Sequence, residues 1–540
     1  MSKHPHTEHW EPFSAYLATN PYVPSESMGA SLERSGRRRP TPADPSAADP
    51  SAAETTNADA VQAVGNALTL GVSLSGTLII GFVVLLVVPR WLGPERWGAV
   101  RGAEALMALT LSFIAFGFDT YIRKEVAVRP EHAREFMPSV ILFRTLTSAL
   151  AIFGVLAVLL HLGKSRIELE LVLLFGLSKF LIQTGELFAA CLHATGEVSG
   201  IRRITLPSKV LWALIILGGL VLGVGPIIVP VGWAIAEGLK TLSLGVVARR
   251  SLRLRIRPMS GAFAPVFRAS IPFSAGIIIA GGAMFLDVTI MRFLIGKREV
   301  GYYGASQNLA SLAFAVGPLI PWVLMPLASR AAARSTRELF GLARRAFEFA
   351  IVFGIPSGVL LALNADVVMR LQGAEYKPAI ASLRLLALVL TLTYFITMAS
   401  VFLQALGRAW VGVRVAFIGV ILNAVLNLNF QARGVRWFGP GGAGVVAGYA
   451  AAANEILVAG AMLILLGRRA WDDRTFRTLG TVLLAALPVV LIDRILANWG
   501  FSWVRLGVDV VFYGANLWLL KVVDPTFVRA QISSFRPQET

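Results

Sequence analysis

The chain has 540 residues, of which 55% are hydrophobic and only 15% are charged. Soluble domains carry nearer a quarter charged residues, so this composition argues against a soluble enzyme and favours a protein embedded in lipid. The formal charge of +18 would suit nucleic acid. However, the basic residues lie in short segments between apolar runs, where they control membrane topology, and we expect no nucleic-acid partner.

The first 60 residues differ in composition from the rest of the chain. They are polar, rich in Pro, Ser, Ala and Asp, and repeat Asp-Pro-Ser-Ala-Ala at Asp44 and Asp49. Such a segment cannot bury enough apolar surface to offset its ordering entropy. We therefore predict a disordered cytoplasmic tail over residues 1–60.

Apolar runs of about 20 residues, the length that crosses the hydrocarbon core of a bilayer, recur after this tail. A helix satisfies its own backbone hydrogen bonds in lipid, so each run predicts a transmembrane helix. The predicted fold class is an all-α polytopic membrane protein with about fourteen transmembrane helices. The predicted spans are 62–88, 99–118, 138–161, 168–192, 205–224, 227–247, 270–294, 305–328, 347–369, 380–404, 411–431, 442–466, 475–492 and 503–521.

The loops between these spans predict the orientation of the chain. Lys and Arg are about twice as frequent in the even-numbered loops as in the odd-numbered loops, and such residues favour the cytoplasmic side. The even loops and both termini are therefore predicted to be cytoplasmic.

Two motifs recur six spans apart. Residues 91–98 and 294–301 both contain Leu or Ile before Gly, then four residues and a second Gly, and residues 192–196 resemble 403–407. These echoes predict two six-helix lobes in parallel orientation, an arrangement in which transporters often place substrate between the repeats. The predicted segments are an N-terminal lobe (61–248), a basic cytoplasmic linker (249–269), a C-terminal lobe (270–467), helices thirteen and fourteen (468–522) and a cytoplasmic tail (523–540).

Four junctions between spans carry a resemblance to a known family. They are Pro-Arg-Trp-Leu-Gly-Pro-Glu-Arg-Trp-Gly at 89–98, the stretch 285–305, the stretch 364–379 and Gly439–Gly444. In this order and spacing they resemble the junctions of Wzx-type oligosaccharide flippases, of the multidrug/oligosaccharidyl-lipid/polysaccharide exporter superfamily. The likeness covers about residues 62–470.

That resemblance implies a two-lobed, V-shaped fold around a central cavity. It also implies the substrate, an oligosaccharide on undecaprenyl diphosphate, moved from the cytoplasmic to the periplasmic leaflet by alternating access for surface polysaccharide biosynthesis. Membrane lipids and polysaccharide polymerase machinery are the other expected partners, and the protein is expected to be a monomer.

Charged residues inside the spans are candidate functional residues, because a charge near the centre of a span costs about 2.5–3.5 kcal/mol. Cations in a wet cavity would offset the cost of moving a lipid diphosphate. We predict a substrate site that includes Arg101, Arg144, Lys179, Gln183 and Glu186, the last three of which share one helical face. The alternative for Arg144 and Lys179 is a structural ion pair, with Glu186 as one partner.

Asp287 in span seven and Glu455 in span twelve are predicted candidates for a coupling proton or sodium ion. The alternative for each is a role in packing or in an ion pair. Glu237 and Lys240, three residues apart, are expected to neutralise each other on one helix.

Pro318, Pro321 and Pro326 lie close together in span eight. Each proline removes a helical hydrogen bond, so a kink or a broken helix is predicted. It could act as a hinge for alternating access or as a static kink.

Motifs of soluble enzymes are missing or misleading. Gly439–Gly444 matches G-x-G-x-x-G but lies between two spans, outside the strand–helix context of a dinucleotide site. The single cysteine, Cys191, excludes a disulfide framework, and the histidines have no metal-ligand spacing. We therefore expect no catalytic residue, cofactor or metal.

Two rival functions remain open at this stage. The first is a cation-coupled exporter of drugs or other small molecules from the same superfamily. The second is a membrane polysaccharide polymerase or glycosyltransferase, although the short odd-numbered loops leave little room for a catalytic domain.

Overall fold

The computed structural model describes residues 50–195, 197–254, 263–314, 317, 319–498 and 502–520. Two compact units divide at Gly71, and the following account concerns the second, Val72–Thr540. In the first unit, the described residues form a helix that begins at Pro50. The rest of the predicted N-terminal tail, part of the basic linker, Pro318 and the C-terminal tail lie outside the described residues.

All regular elements in the described part of the chain are helical. Helix α1, Pro50–Phe113, contains the first two predicted spans and is broken at Gly93, whose φ of 71° is not helical. The next helices are α2 (Phe118–Val128), α3 (Ala133–His161), α4 (Arg166–Ala194), α5 (Val198–Val221), α6 (Ile228–Leu252), α7 (Phe263–Leu294), α8 (Lys297–Ala313) and α9 (Leu319–Arg334).

The second half continues in the same way, and a π-helical turn at Ala350–Gly354 joins its first two helices. The helices are α10 (Thr336–Phe349), α11 (Ile355–Leu363), α12 (Ala365–Arg370), α13 (Ile380–Ala405), α14 (Ala409–Phe438), α15 (Gly442–Leu466), α16 (Asp473–Asn498) and α17 (Ser502–Leu519).

The predicted fold class is confirmed, and every predicted span overlaps at least one described helix. Among the described residues, ten helices are long and apolar enough to cross a membrane. Their outward faces carry large apolar side chains, such as Leu150 at 75% and Ile464 at 80% exposure. A surface of this kind would be unfavourable in water but matches the hydrocarbon of a bilayer.

Span eight is broken, as its prolines predict. Helix α8 ends at Ala313 and α9 begins at Leu319. Pro321 lies in the first turn of α9, where its missing N–H costs little, whereas Pro326 lies inside the helix. The role of this break as a hinge stays a prediction.

Glu299 in α8 caps the start of α15. One carboxylate oxygen accepts from the N–H of Gly441 at 2.7 Å and the other from the N–H of Ala443 at 3.2 Å. We expect Glu299→Ala to lower the free energy of unfolding by about 1–3 kcal/mol, because both buried N–H groups lose their acceptor. Thermal unfolding in detergent measures this loss, and Glu299→Gln, which keeps one acceptor oxygen, should lose less. An alanine variant as stable as the parent would contradict the cap.

Candidate functional site

A buried carboxylate joins two cations in the N-terminal lobe. Glu104 of α1 accepts from Lys179 Nζ of α4 at 2.9 Å and from Arg101 Nη1 at 2.6 Å. The three side chains are only 12–18% exposed. Two of the predicted substrate residues, Arg101 and Lys179, are thus brought together through a third residue that sequence reasoning missed.

A second group of charges lies on the neighbouring helices. Lys240 of α6 contacts Glu237 at 3.0 Å, which is the expected neutralisation, and Glu186 of α4 at 3.9 Å. Glu186 therefore pairs with Lys240, rather than with Arg144 or Lys179.

Lys209 of α5 and Lys179 share aromatic neighbours. The Lys209 ammonium lies 3.8 Å from the ring centroid of Trp212 and 4.8 Å from that of Trp233. The Lys179 ammonium lies 5.5 Å from Trp233. Such contacts stabilise a cation away from bulk water.

We call this group the basic cluster, and its charges do not balance. It contains four cations against three carboxylates, an excess of one positive charge. The cations are Arg101, Lys179, Lys209 and Lys240, and the carboxylates are those of Glu104, Glu186 and Glu237. A buried excess charge of this sign favours an anionic ligand.

Buried N–H groups around the basic cluster also lack acceptors. Among the residues that the structure describes, Nε1 of Trp97 and Trp212, Nε of Arg101 and Nη2 of Arg292 have no hydrogen-bond partner. All four groups are donors, and a buried donor without an acceptor costs free energy. A ligand rich in oxygen acceptors, such as a phosphate or a sugar, would satisfy them.

Residues of the C-terminal lobe border the same site. Arg101 Nη2 donates to Gln307 of α8 at 3.4 Å. Arg292 of α7 packs against Gly102, where a Cβ would lie 3.2 Å from Arg292 Cδ. The site therefore lies where the two predicted lobes meet.

Arg144 lies away from the basic cluster. It is 1% exposed, and its guanidinium donates to the carbonyl oxygens of Gln183 at 2.6 Å and Ala115 at 2.8 Å and to Asp119 at 3.4 Å. The Gln183 side chain donates to the carbonyl of Leu111 at 3.2 Å. In this conformation Arg144 and Gln183 tie α4 to the residues around the end of α1, and a role in binding substrate stays a prediction.

The two candidates for a coupling ion lie in different places. Asp287 is 3% exposed and accepts from the Tyr303 hydroxyl and from the N–H of Val288 at 2.9 Å. Glu455 accepts from Thr393 at 3.5 Å and Asn454 at 3.4 Å. Neither carboxylate forms an ion pair with a described residue. Either carboxylate could bind a proton. In the described part of the chain, no group of three or more His, Cys, Asp or Glu side chains is placed to hold a metal ion.

Glu455 also borders a cavity of about 640 Å³ between α7, α13, α14 and α15. Most of its lining is apolar, with Phe273, Ile279 and Val420 among the contributing side chains. This cavity is separate from the basic cluster, because the two share no residue.

Buried polar contacts attach the last two helices to the C-terminal lobe. Arg505 of α17 contacts Asp366 of α12 and, at 2.9 Å, Asp493 of α16. Asn364 donates to Asp509 of α17 at 2.8 Å. Asp509, one of the charges inside predicted span fourteen, thus has a structural partner.

Two solved structures share the overall fold of this chain. A structure of the lipid II flippase MurJ in an inward closed conformation matches with a TM-score of 0.65 at 14% identity, over 83% of this chain and 98% of that one. An inward-facing MATE multidrug resistance transporter of the MOP superfamily matches with a TM-score of 0.57 at 17% identity, over 74% and 98%. The chain therefore shares its overall fold with this flippase and this transporter.

A sequence model of a protein family shows to which family this chain belongs. The model described as "Polysaccharide biosynthesis protein" matches residues 63–332, which is half of the chain. The chain belongs to this family, and the resemblance stated from its junction motifs is confirmed. No curated protein matches the sequence. The long apolar helices of this chain make it a multi-pass membrane protein, and the solved structures that share its fold are a flippase and a transporter.

Proposed function

We propose that this protein flips an undecaprenyl-diphosphate-linked oligosaccharide from the cytoplasmic to the periplasmic leaflet of a bacterial inner membrane. The transport serves surface polysaccharide biosynthesis and proceeds by alternating access of the two lobes. The observation that carries the proposal is the set of buried N–H donors without acceptors beside an excess of buried positive charge.

The chemistry of the cargo complements this site. A lipid diphosphate carries about two negative charges, which the basic cluster can offset in a low-dielectric environment. The unpaired N–H groups of Trp97 and Trp212 can donate to phosphate or hydroxyl oxygens. Glu104 pairs with both Arg101 and Lys179 in this structure.

The orientation follows from the loop charges, with the even loops and both termini in the cytoplasm. Asp287 or Glu455 would bind the coupling proton or cation, because Asp287 is buried, Glu455 is half-buried beside the cavity, and neither forms an ion pair among the described residues. We include polysaccharide polymerase machinery as a partner and treat the flippase as a monomer.

A second candidate function rests on the cavity beside Glu455. A largely apolar space of about 640 Å³ with one carboxylate suits a small organic cation. This favours a cation-coupled exporter of small molecules as the alternative. Such an exporter would protect cells against cationic drugs and would leave polysaccharide assembly unchanged when removed.

Deletion of the gene tests the two functions against each other. We expect undecaprenyl-linked oligosaccharide to accumulate on the cytoplasmic face and surface polysaccharide to fall, and the wild-type chain to restore both. Leaflet-specific enzymatic labelling of the oligosaccharide measures its location. Unchanged oligosaccharide distribution together with new sensitivity to cationic drugs would overturn the flippase in favour of the exporter.

A further inference from the structure

Two glycines at equivalent positions of the sequence repeat meet across the two lobes. In each repeat a first glycine is followed, after four residues, by a second glycine. The first repeat has Gly93 and Gly98, and the second has Gly296 and Gly301. Both first glycines have positive φ, 71° and 146°, a conformation that other residues rarely adopt. The chain therefore turns at the same position of both repeats and then continues into a helix.

The contact between the two segments is reciprocal. A Cβ on Gly98 would lie 1.6 Å from the carbonyl oxygen of Lys297, and a Cβ on Gly301 would lie 1.8 Å from that of Pro94. Pro94 and Lys297 are themselves equivalent, since each directly follows the first glycine of its repeat. We call this contact the glycine crossing, and it relates the two lobes by an approximate two-fold symmetry.

The glycine crossing is made by backbone atoms, which cannot move aside as a flexible side chain can. A methyl group at either glycine would therefore force the two segments apart. The contact at the two glycines themselves involves backbone atoms only, so it can break and re-form without a rotamer change at either glycine.

Other contacts between the odd-numbered loops surround the crossing. The Tyr376 hydroxyl donates to the carbonyl of Pro89 at 2.8 Å, and Lys297 pairs with Glu168 at 3.4 Å. On its outer side lies an open vestibule of about 860 Å³ formed by odd loops of both lobes.

The basic cluster begins on the inner side of the crossing. Arg101 follows Gly98 by about one helical turn along α1. Ala105, one turn further, is 1% exposed and packs in an apolar cluster with Val288, Met291 and Val300 of the C-terminal lobe. The crossing therefore stands between the vestibule and the candidate substrate site.

We propose that the glycine crossing is the gate of the odd-loop face, closed in this structure and separated when the site opens to that face. This inference rests on the proposed function, because a gate has meaning only in a transporter with alternating access. It assigns Gly98 and Gly301 as positioning residues that set how closely the two lobes can approach.

Cysteine labelling tests the gate without requiring knowledge of the cargo. The parent carries Cys191→Ser, which removes the only native thiol, and Ala105→Cys as a reporter beneath the crossing. A membrane-impermeant maleimide is applied to the face that carries the odd loops. We expect Gly98→Ala or Gly301→Ala to increase the rate of labelling at least tenfold, because the added methyl group holds the gate open.

The matched control is Gly154→Ala, the same change at a helical glycine with nothing within 4 Å of the new Cβ, and its labelling should equal that of the parent. Labelling of both crossing variants at the parental rate, in correctly inserted protein, would overturn the gate. If neither variant protein is found in the membrane, the parent protein itself is labelled in cells with and without active oligosaccharide synthesis. Faster labelling during synthesis supports the gate, and equal rates overturn it.

The outcomes also separate this inference from the proposed function. Faster labelling of the alanine variants, combined with no accumulation of oligosaccharide after gene deletion, would keep the gate and reject the cargo. Accumulation after deletion with unchanged labelling would keep the cargo and reject the gate.

Discussion

Replacing Lys179 with alanine should reduce oligosaccharide export at least tenfold while the protein still inserts normally. The change removes a cation that contacts Glu104 at 2.9 Å and cancels the positive excess of the basic cluster. A hydrogen bond to a charged group contributes about 1.5–3 kcal/mol, and tenfold corresponds to about 1.4 kcal/mol. Leaflet-specific labelling of the lipid-linked oligosaccharide, scaled to the amount of inserted protein, measures the effect.

Two further variants make this result specific. Lys179→Arg keeps the charge and should retain more export than Lys179→Ala. Lys377→Ala makes the same chemical change at an exposed position and should leave export unchanged. Full export by Lys179→Ala would remove this lysine from the substrate site.

Arg144→Met should lower the free energy of unfolding by about 3 kcal/mol, because buried carbonyl oxygens and Asp119 lose a charged donor. From the sequence alone, Arg144→Ala is expected to impair export with normal insertion. The structure points instead to a loss of stability, since the guanidinium is 1% exposed and donates to Gln183, Ala115 and Asp119. Thermal unfolding of the purified protein in detergent measures the change.

Arg166→Met is the matched control for this substitution. Arg166 is 90% exposed and pairs with Glu170, so its removal should change the unfolding free energy by less than about 1 kcal/mol. An Arg144→Met protein that unfolds like the parent but no longer exports would show that Arg144 binds substrate after all.

The membrane spans and the sequence repeat could be predicted because each depends only on residues that are close together in the sequence. An apolar run of about 20 residues predicts a transmembrane helix whichever helices it packs against. The three prolines of span eight likewise predicted the break between α8 and α9. The similarity between residues 91–98 and 294–301 can also be recognised without knowing which residues are in contact.

The composition of the site could be predicted only in part, because its pairs join distant segments. Lys179 meets Glu104 across 75 residues, and no local pattern indicates which helix faces which. Lys209 and Arg101 lie near the ends of their spans, where long side chains usually reach the interface, yet here both are largely buried. The three-residue spacing of Arg101 and Glu104 was the available signal for that pair.

The contacts of Arg505 set an order of events during biosynthesis. Arg505 follows its partner Asp366 by 139 residues, so it leaves the ribosome well after Asp366 has been made. Asp493 and Asp509 also belong to the last two helices, which connect to α12 and Asn364 through these groups. The C-terminal lobe therefore cannot complete its buried polar network until α16 and α17 have been translated, and a transcript truncated before α16 would leave newly made Asp366 without Arg505.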